Sequence, residues 1–304
     1  MNHLPFTLTA YFFNALAVLA NKFLLSKTIP DPLVYIFYIS LISILAVFAL
    51  PFTQIPTIPI FTLASASTLL WTLGAYFMFK ALQIGQVSRV IPIIGTLIPL
   101  ILLLFASETN AITTLQAWAV LILVLGMIFL SLQELLQGAF SKREIIFELV
   151  SAGSFALSYI ILRQAYLSLD FFSTIVWSRL ILLPFCLLIL IIPTVRRKII
   201  TSSLSLSSRR KPGSIKMGLI FLGSQVSGVI SELLLLFSIS LANPALVNSL
   251  QGSQYVFLLI FTIILGKKYP AIFGEKYTLL ILVPKLMGIA LIGLGLYLLA
   301  FTSR

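Results

Sequence analysis

Two charged residues stand where charge is costly. Arg179 lies about nine residues into one apolar run, and Glu232 lies near the centre of another. At the middle of a bilayer a charge costs at least ~2.5–3.5 kcal/mol on insertion scales, so each must face protein or water and find a partner. Two chemistries fit. One is a static ion pair locking their helices together; the other is a substrate or proton site. A third polar feature lies in NPALVNSLQGSQYVFLLIF, residues 243–261. Asn248, Gln251 and Tyr255 are spaced i, i+3 and i+7, which puts them on one helix face, with Gln254 at its edge. Amides facing lipid would leave donors and acceptors unpaired, so this stripe must turn inward. It serves either as hydrogen-bonding glue between helices or as a substrate-facing wall, with Tyr159 and Trp177 opposite.

Covalent and metal chemistry lack their usual groups. The single histidine is His3 and the single cysteine is Cys186, which permits no internal disulfide. There is no HExxH, no paired-cysteine motif, no phosphate-binding glycine loop and no histidine placed to activate a serine. The sequence therefore predicts a non-enzyme with no cofactor and no metal.

The elements that must position these residues are long and apolar. Hydrophobic residues make up 60% of the 304-residue chain and charged residues 9%, where soluble domains carry about 25%. The mean hydropathy is +1.13. Each helix needs ~20 residues to cross a ~30 Å hydrocarbon core. Ten such runs are predicted, at residues 8–25, 33–52, 61–82, 87–107, 113–132, 145–167, 171–192, 215–241, 244–265 and 279–301. The expected class is all-α: a polytopic protein of the plasma or inner membrane. The first run, with no basic segment before it, reads as a spanning helix rather than a signal peptide. Breakers separate the runs at Pro30-Asp31-Pro32, Pro51 to Pro59, Gly138, Pro193, Pro212-Gly213, Asn243-Pro244 and Pro270 to Gly274.

The net charge of +12 sits mostly in connections, where topology and anionic lipid explain it better than nucleic acid. Residues 193–216 hold basic clusters around a serine-rich centre and read as a flexible connector or an anionic-lipid contact. Lys22, Lys80, Arg89, Arg163 and Lys285 are placed to snorkel from span ends. Tyr11, Tyr35 and Tyr297 are expected as interfacial anchors, and Trp71, Tyr76, Tyr159 and Trp177 are deep enough to line a cavity.

The stretch from Ala81 to Gly126 runs through a proline-bent helix with Pro92, Gly95 and Pro99, an acidic turn at Glu108 and a helix with a late glycine. It resembles the second half of the five-helix repeat of EamA-like drug/metabolite transporters. The order recurs further on. A shift of 139 places Asp31 on Asp170, a shift of 157 places Ser67 on Ser224 and Gly95 on Gly252, and a shift of 169 places Gly126 on Gly295. The resemblance implies two repeats, residues 1–137 and 145–304. Because each has five spans, the second is inverted relative to the first, the design of secondary transporters with a midplane site. The second half departs from the pattern: Pro92 and Pro99 become Ser249 and Val256, and Gly266-Lys267-Lys268 replaces the acidic turn.

By this resemblance the chain moves a small metabolite or organic solute by alternating access. Its expected substrate-binding residues are Asn248, Gln251, Tyr255, Tyr159, Trp177, Arg179 and Glu232. The rival expectations are a lipid or lipid-linked sugar flippase, with a basic cavity open sideways, and a non-transporting scaffold, with apolar helix interfaces throughout. Expected partners are a small-molecule substrate, membrane lipid (anionic lipid at the basic loops) and a second copy of the chain, but no nucleic acid. Seventeen of the twenty Lys and Arg fall on odd-numbered connections. The charge rule then puts those connections in the cytoplasm and both termini outside, whereas the family usually has both termini inside.

Overall fold

A backbone surrounded by apolar side chains satisfies its polar groups most simply as helix. In a computed structural model the described residues are almost all helical, with no strand among them. The structure describes residues 3–25, 32–84, 87–105, 112–130, 132, 136, 141–208, 214–266 and 279–302. The helices are α1 (Leu4–Leu25), α2 (Pro32–Ser43), a 3-10 helix (Ile44–Phe52), α3 (Ile58–Ile84), α4 (Val87–Leu104), α5 (Thr114–Leu130) and α6 (Lys142–Ser168). After them come α7 (Phe171–Arg179), α8 (Leu182–Ile191), α9 (Pro193–Ser208), α10 (Ser214–Leu241), α11 (Pro244–Ser249), α12 (Gly252–Gly266) and α13 (Leu279–Thr302).

Four helices among the described residues are long and apolar enough to cross a membrane: Ile58–Ile84, Lys142–Ser168, Phe171–Ile191 and Leu222–Leu241. Shorter apolar helices cover Leu4–Ala20, Val90–Leu104, Thr114–Leu130 and Val283–Leu299. The runs at 33–52 and 244–265 are each divided. In the first, the chain tightens from α2 into the 3-10 helix, whose Pro51 can supply no amide donor to continue an α ladder. In the second, Leu250, Gln251, Ser253 and Gln254 bond back three residues instead of four. Leu180 and Leu183 do the same in the run at 171–192.

Residues 193–208 are helix, not the flexible connector expected. Val195 and Ile199 of α9 are buried with Phe37, Cys186 and Ile189, and that apolar contact orders the segment. The acidic turn at Glu108, the lysines at 267–268 and the breakers Pro30-Asp31, Gly138, Pro212-Gly213 and Pro270 to Gly274 lie outside the described residues, as do the side chains of Lys22, Tyr35 and Arg89.

The packing has a regular plan. Helix α3 lies along α6, α1 along α10, and α5 along α13. Helix α4 meets α11, α7 meets the 3-10 helix, and α8 meets α2. Numbered by the predicted spans, these contacts are three with six, eight with one, five with ten, four with nine and two with seven. Small residues let the axes approach. Between α3 and α6, Ser67 donates to the Ser158 carbonyl at 3.0 Å while Ser158 donates to the Ser67 carbonyl at 2.8 Å. Between α1 and α10, Ser224 donates to the Ala17 carbonyl at 3.3 Å. Between α5 and α13 the contacts are reciprocal. A Cβ on Gly126 would come within 2.7 Å of Ile292, and one on Gly295 within 2.5 Å of Leu123.

Candidate functional site

Polar side chains gather where α1, α6, α7, α10 and α12 converge. Tyr11, on α1, is 2% exposed, and its hydroxyl donates to the Val247 carbonyl at 3.4 Å. It is a buried residue, not the interfacial anchor expected. Around that hydroxyl, within electrostatic reach, are Tyr159, Tyr255 and Glu232. Glu232 is within the same reach of Tyr159 and Tyr166. Its Oε1 is buried and receives no hydrogen bond. The Tyr166 hydroxyl is likewise buried without a partner. Tyr159 stacks on Phe155, and the Trp71 indole N–H is turned toward its hydroxyl.

Arg179 is the last residue of α7. It acts electrostatically on Glu232 and Tyr166, but no salt bridge joins Arg179 to Glu232. The pair considered from the sequence is thus not closed at salt-bridge distance, and the two charges act on each other through space. Arg179 lines a recess of about 10 Å³, room for about one water, together with Ser40, Ser43, Trp71, Thr72 and Leu182, among others.

The stripe on the ninth predicted span does turn inward, and it meets α4. Asn248 is 2% exposed and donates to the Pro244 carbonyl of its own helix at 2.9 Å. Tyr255 donates across to the Ile91 carbonyl at 3.1 Å. A Cβ on Gly95 would sit 2.6 Å from the Tyr255 hydroxyl and 2.8 Å from Gln251 Nε2, so both side chains occupy the notch that this glycine leaves. Gln254 is fully buried and accepts from Asn14 at 3.3 Å. Trp177 is placed elsewhere: its indole donates to the Gln54 carbonyl at 2.9 Å, and its ring meets Phe61 edge-on.

Two basic residues expected to snorkel are also placed differently. Lys285 is 6% exposed. Arg163 donates to the carbonyls of Ile239 and Ser240, near the end of α10 where the helix leaves its last carbonyls unpaired. Outside the apolar runs, Asp170 caps α7 by accepting from the Ser173 amide at 2.9 Å. Burial opposes its ionisation, but the Ser173 and Phe172 hydrogen bonds outweigh it and hold the carboxyl below its ordinary value.

Sequence reading missed Tyr11, Tyr166, Ser40 and Ser43. One signal was available: Tyr11 and Asn14 are i, i+3 on an otherwise apolar helix, so they share a face. Nothing in the local pattern of Ser40 or Ser43 separates them from the many other serines.

No protein-family model and no curated protein matches the sequence. A solved structure described as "Crystal structure of protein" is similar over 100% of this chain and 99% of that one, with a TM-score of 0.64 and 14% identity. At that identity the likeness is one of fold alone: an experimentally determined chain follows this course from end to end.

Proposed function

We propose that this chain is a ten-helix secondary transporter of the plasma or inner membrane, made of two inverted five-helix repeats and resembling the EamA-like drug/metabolite transporters. It moves a small metabolite or organic solute by alternating access. The observation that carries the reading is the polar centre itself. Glu232 and Arg179, both on the second predicted repeat, act on each other and on buried tyrosines through space without a salt bridge between them. A scaffold would fill that position with apolar side chains, because an uncompensated buried charge is costly.

The packing plan supports the repeat. Advancing each helix by five spans turns the three–six contact into eight–one and leaves five–ten, four–nine and two–seven in place. The contacts between α5 and α13 obey the same rule, since Leu123 and Ile292 differ by 169, as do Gly126 and Gly295. Spans two and seven are also interrupted at equivalent places. Ser43 ends α2 and Leu182 begins α8, and a shift of 139 superposes them. Interrupted helices at corresponding positions of two halves are the usual pointer to a transporter's site.

The test compares solute accumulation in cells with and without the protein, then in Gln251→Leu and Glu232→Gln variants that reach the membrane normally. Both variants are expected to lose uptake, the first through a weaker apparent affinity. Unchanged affinity and rate in both across the tested solutes would remove the reading.

A further inference from the structure

The recess beside Arg179 has one-sided chemistry. Guanidinium carries five N–H donors and no acceptor. Among the described residues no side chain or carbonyl is hydrogen-bonded to Arg179, and its nearest countercharge, Glu232, reaches it only through space. Arg179 lines the recess, while the Glu232 Oε1 is buried away from solvent. Of the remaining polar lining only Ser43 can add a donor, since the Ser40 hydroxyl is engaged with the Cys186 thiol. The Ser43 hydroxyl makes no hydrogen bond among the described residues. Thr72 spends its own proton on the Thr68 carbonyl at 2.8 Å. Trp71 supplies a flat aromatic wall.

The place matters as much as the chemistry. Arg179 and Leu182 flank the interruption of span seven, and Ser43 marks the interruption of span two. A shift of 139 lays Arg179 on Ser40, which lines the same recess. Both broken helices thus meet there, but only one brings a charge. Arg179 is partly exposed at this recess, and the strongest acceptors for a guanidinium are carboxylate and phosphate oxygens, which accept two of its N–H groups at once.

We propose that the transported solute is a small organic anion whose carboxylate or phosphate is held by Arg179, with Ser43 as a second donor. This rests on the transporter reading and names the substrate class for it.

The experiment uses the purified full-length chain in phosphatidylcholine nanodiscs and follows tryptophan fluorescence, with Trp71→Phe identifying the responding indole. Succinate and glycerol 3-phosphate are titrated beside their uncharged counterparts, succinamide and glycerol. The expected result is a saturable response to one or both anions and none to the neutral molecules. Whether succinate or glycerol 3-phosphate responds separates carboxylate from phosphate. Arg179→Gln should weaken binding about 10- to 100-fold, the usual loss for hydrogen bonds to a charged group. Arg179→Lys should retain part of it, and Ser43→Ala should weaken it several-fold. If Arg179→Gln does not fold, the Lys and Ser43 variants decide.

An equal response to the neutral molecules overturns the proposal, as does no response to either anion, or anion binding indifferent to these substitutions. A response abolished by phosphatidylglycerol nanodiscs, with neither soluble anion active in phosphatidylcholine, assigns Arg179 to a lipid headgroup and also overturns it. Counterflow in proteoliposomes separates the two readings. Anion binding without counterflow keeps the anion site and removes the transporter. Counterflow of uncharged solutes that ignores Arg179 removes the anion and keeps the transporter.

Discussion

Glu232 and Arg179 interact through space without a salt bridge, and this bears on what their substitution should do. Removing one member of a directly paired buried couple typically costs ~3–5 kcal/mol. No salt bridge joins these two, so Glu232→Gln should unfold at a temperature within a few degrees of the parent while losing coupled uptake. A large fall in thermal stability in detergent would restore the structural pair. His3 offers a pH-dependent counterpart. It is 7% exposed, and its Nε2 is buried without a hydrogen-bond partner. Burial disfavours the imidazolium and holds the group below its ordinary value of 6.5. The unfolded chain therefore takes up this proton more readily than the folded one. The contribution is fully present above about pH 6.5 and is lost as pH falls through the lower folded value. Thermal unfolding of the parent and of His3→Phe between about pH 7.5 and pH 5 should show a steeper acid loss in the parent. Parallel curves would show that His3 carries no such burden.

At the scale of elements, glycine positions are legible from what surrounds them. A Cβ on Gly288 would lie 2.8 Å from the Gly126 carbonyl oxygen and 2.8 Å from the Leu130 amide nitrogen, both backbone atoms that cannot swing away. Overpacking of this kind costs ~1–3 kcal/mol, so Gly288→Ala should measurably lower the unfolding temperature by driving α5 and α13 apart. Gly153, on α6, has nothing within 4 Å of its Cβ position. Gly153→Ala should be neutral or stabilising by up to ~1 kcal/mol, because alanine is the better helix former. Finding the two equally harmful would mean that close approach is not what holds α5 to α13. Gly95 is an intermediate case, since its neighbours are the flexible ends of Gln251 and Tyr255. A methyl group there displaces the site's own side chains and leaves the backbone in place.

For the whole molecule, charge and fold make separate statements. The proposed inverted plan has an odd number of spans per half, and the distribution of Lys and Arg then decides which way the molecule sits. Counted against the predicted spans, seventeen of twenty basic residues fall on or beside odd connections, so those connections are expected in the cytoplasm and the C-terminus outside. Within α9, Arg196, Arg197 and Lys198 are exposed while Val195 and Ile199 are buried, which suits a helix lying at a charged membrane surface. A reporter active only in the cytoplasm, fused after Arg304, should be silent. Activity there would reverse the orientation and place α9 on the outer face.

The sequence by itself determined the all-helical class, because runs of about twenty apolar residues allow little else. It also identified the charges that needed explaining, since Arg179 and Glu232 violate the composition of their surroundings whatever the fold. The inward turn of Gln251 and Tyr255 followed from spacing alone. What spacing could not supply was distance between helices. Whether Arg179 touches Glu232 depends on where α7 stops and how α10 is rotated, and neither is local. The helical state of residues 193–208 depended on a surface formed by Phe37, Cys186 and Ile189, which are far away in the chain. The recess at Ser40, Ser43 and Arg179 arises where two broken helices meet. A serine carries no mark of such a meeting, because its chemistry becomes specific only when tertiary packing sets a charge beside it.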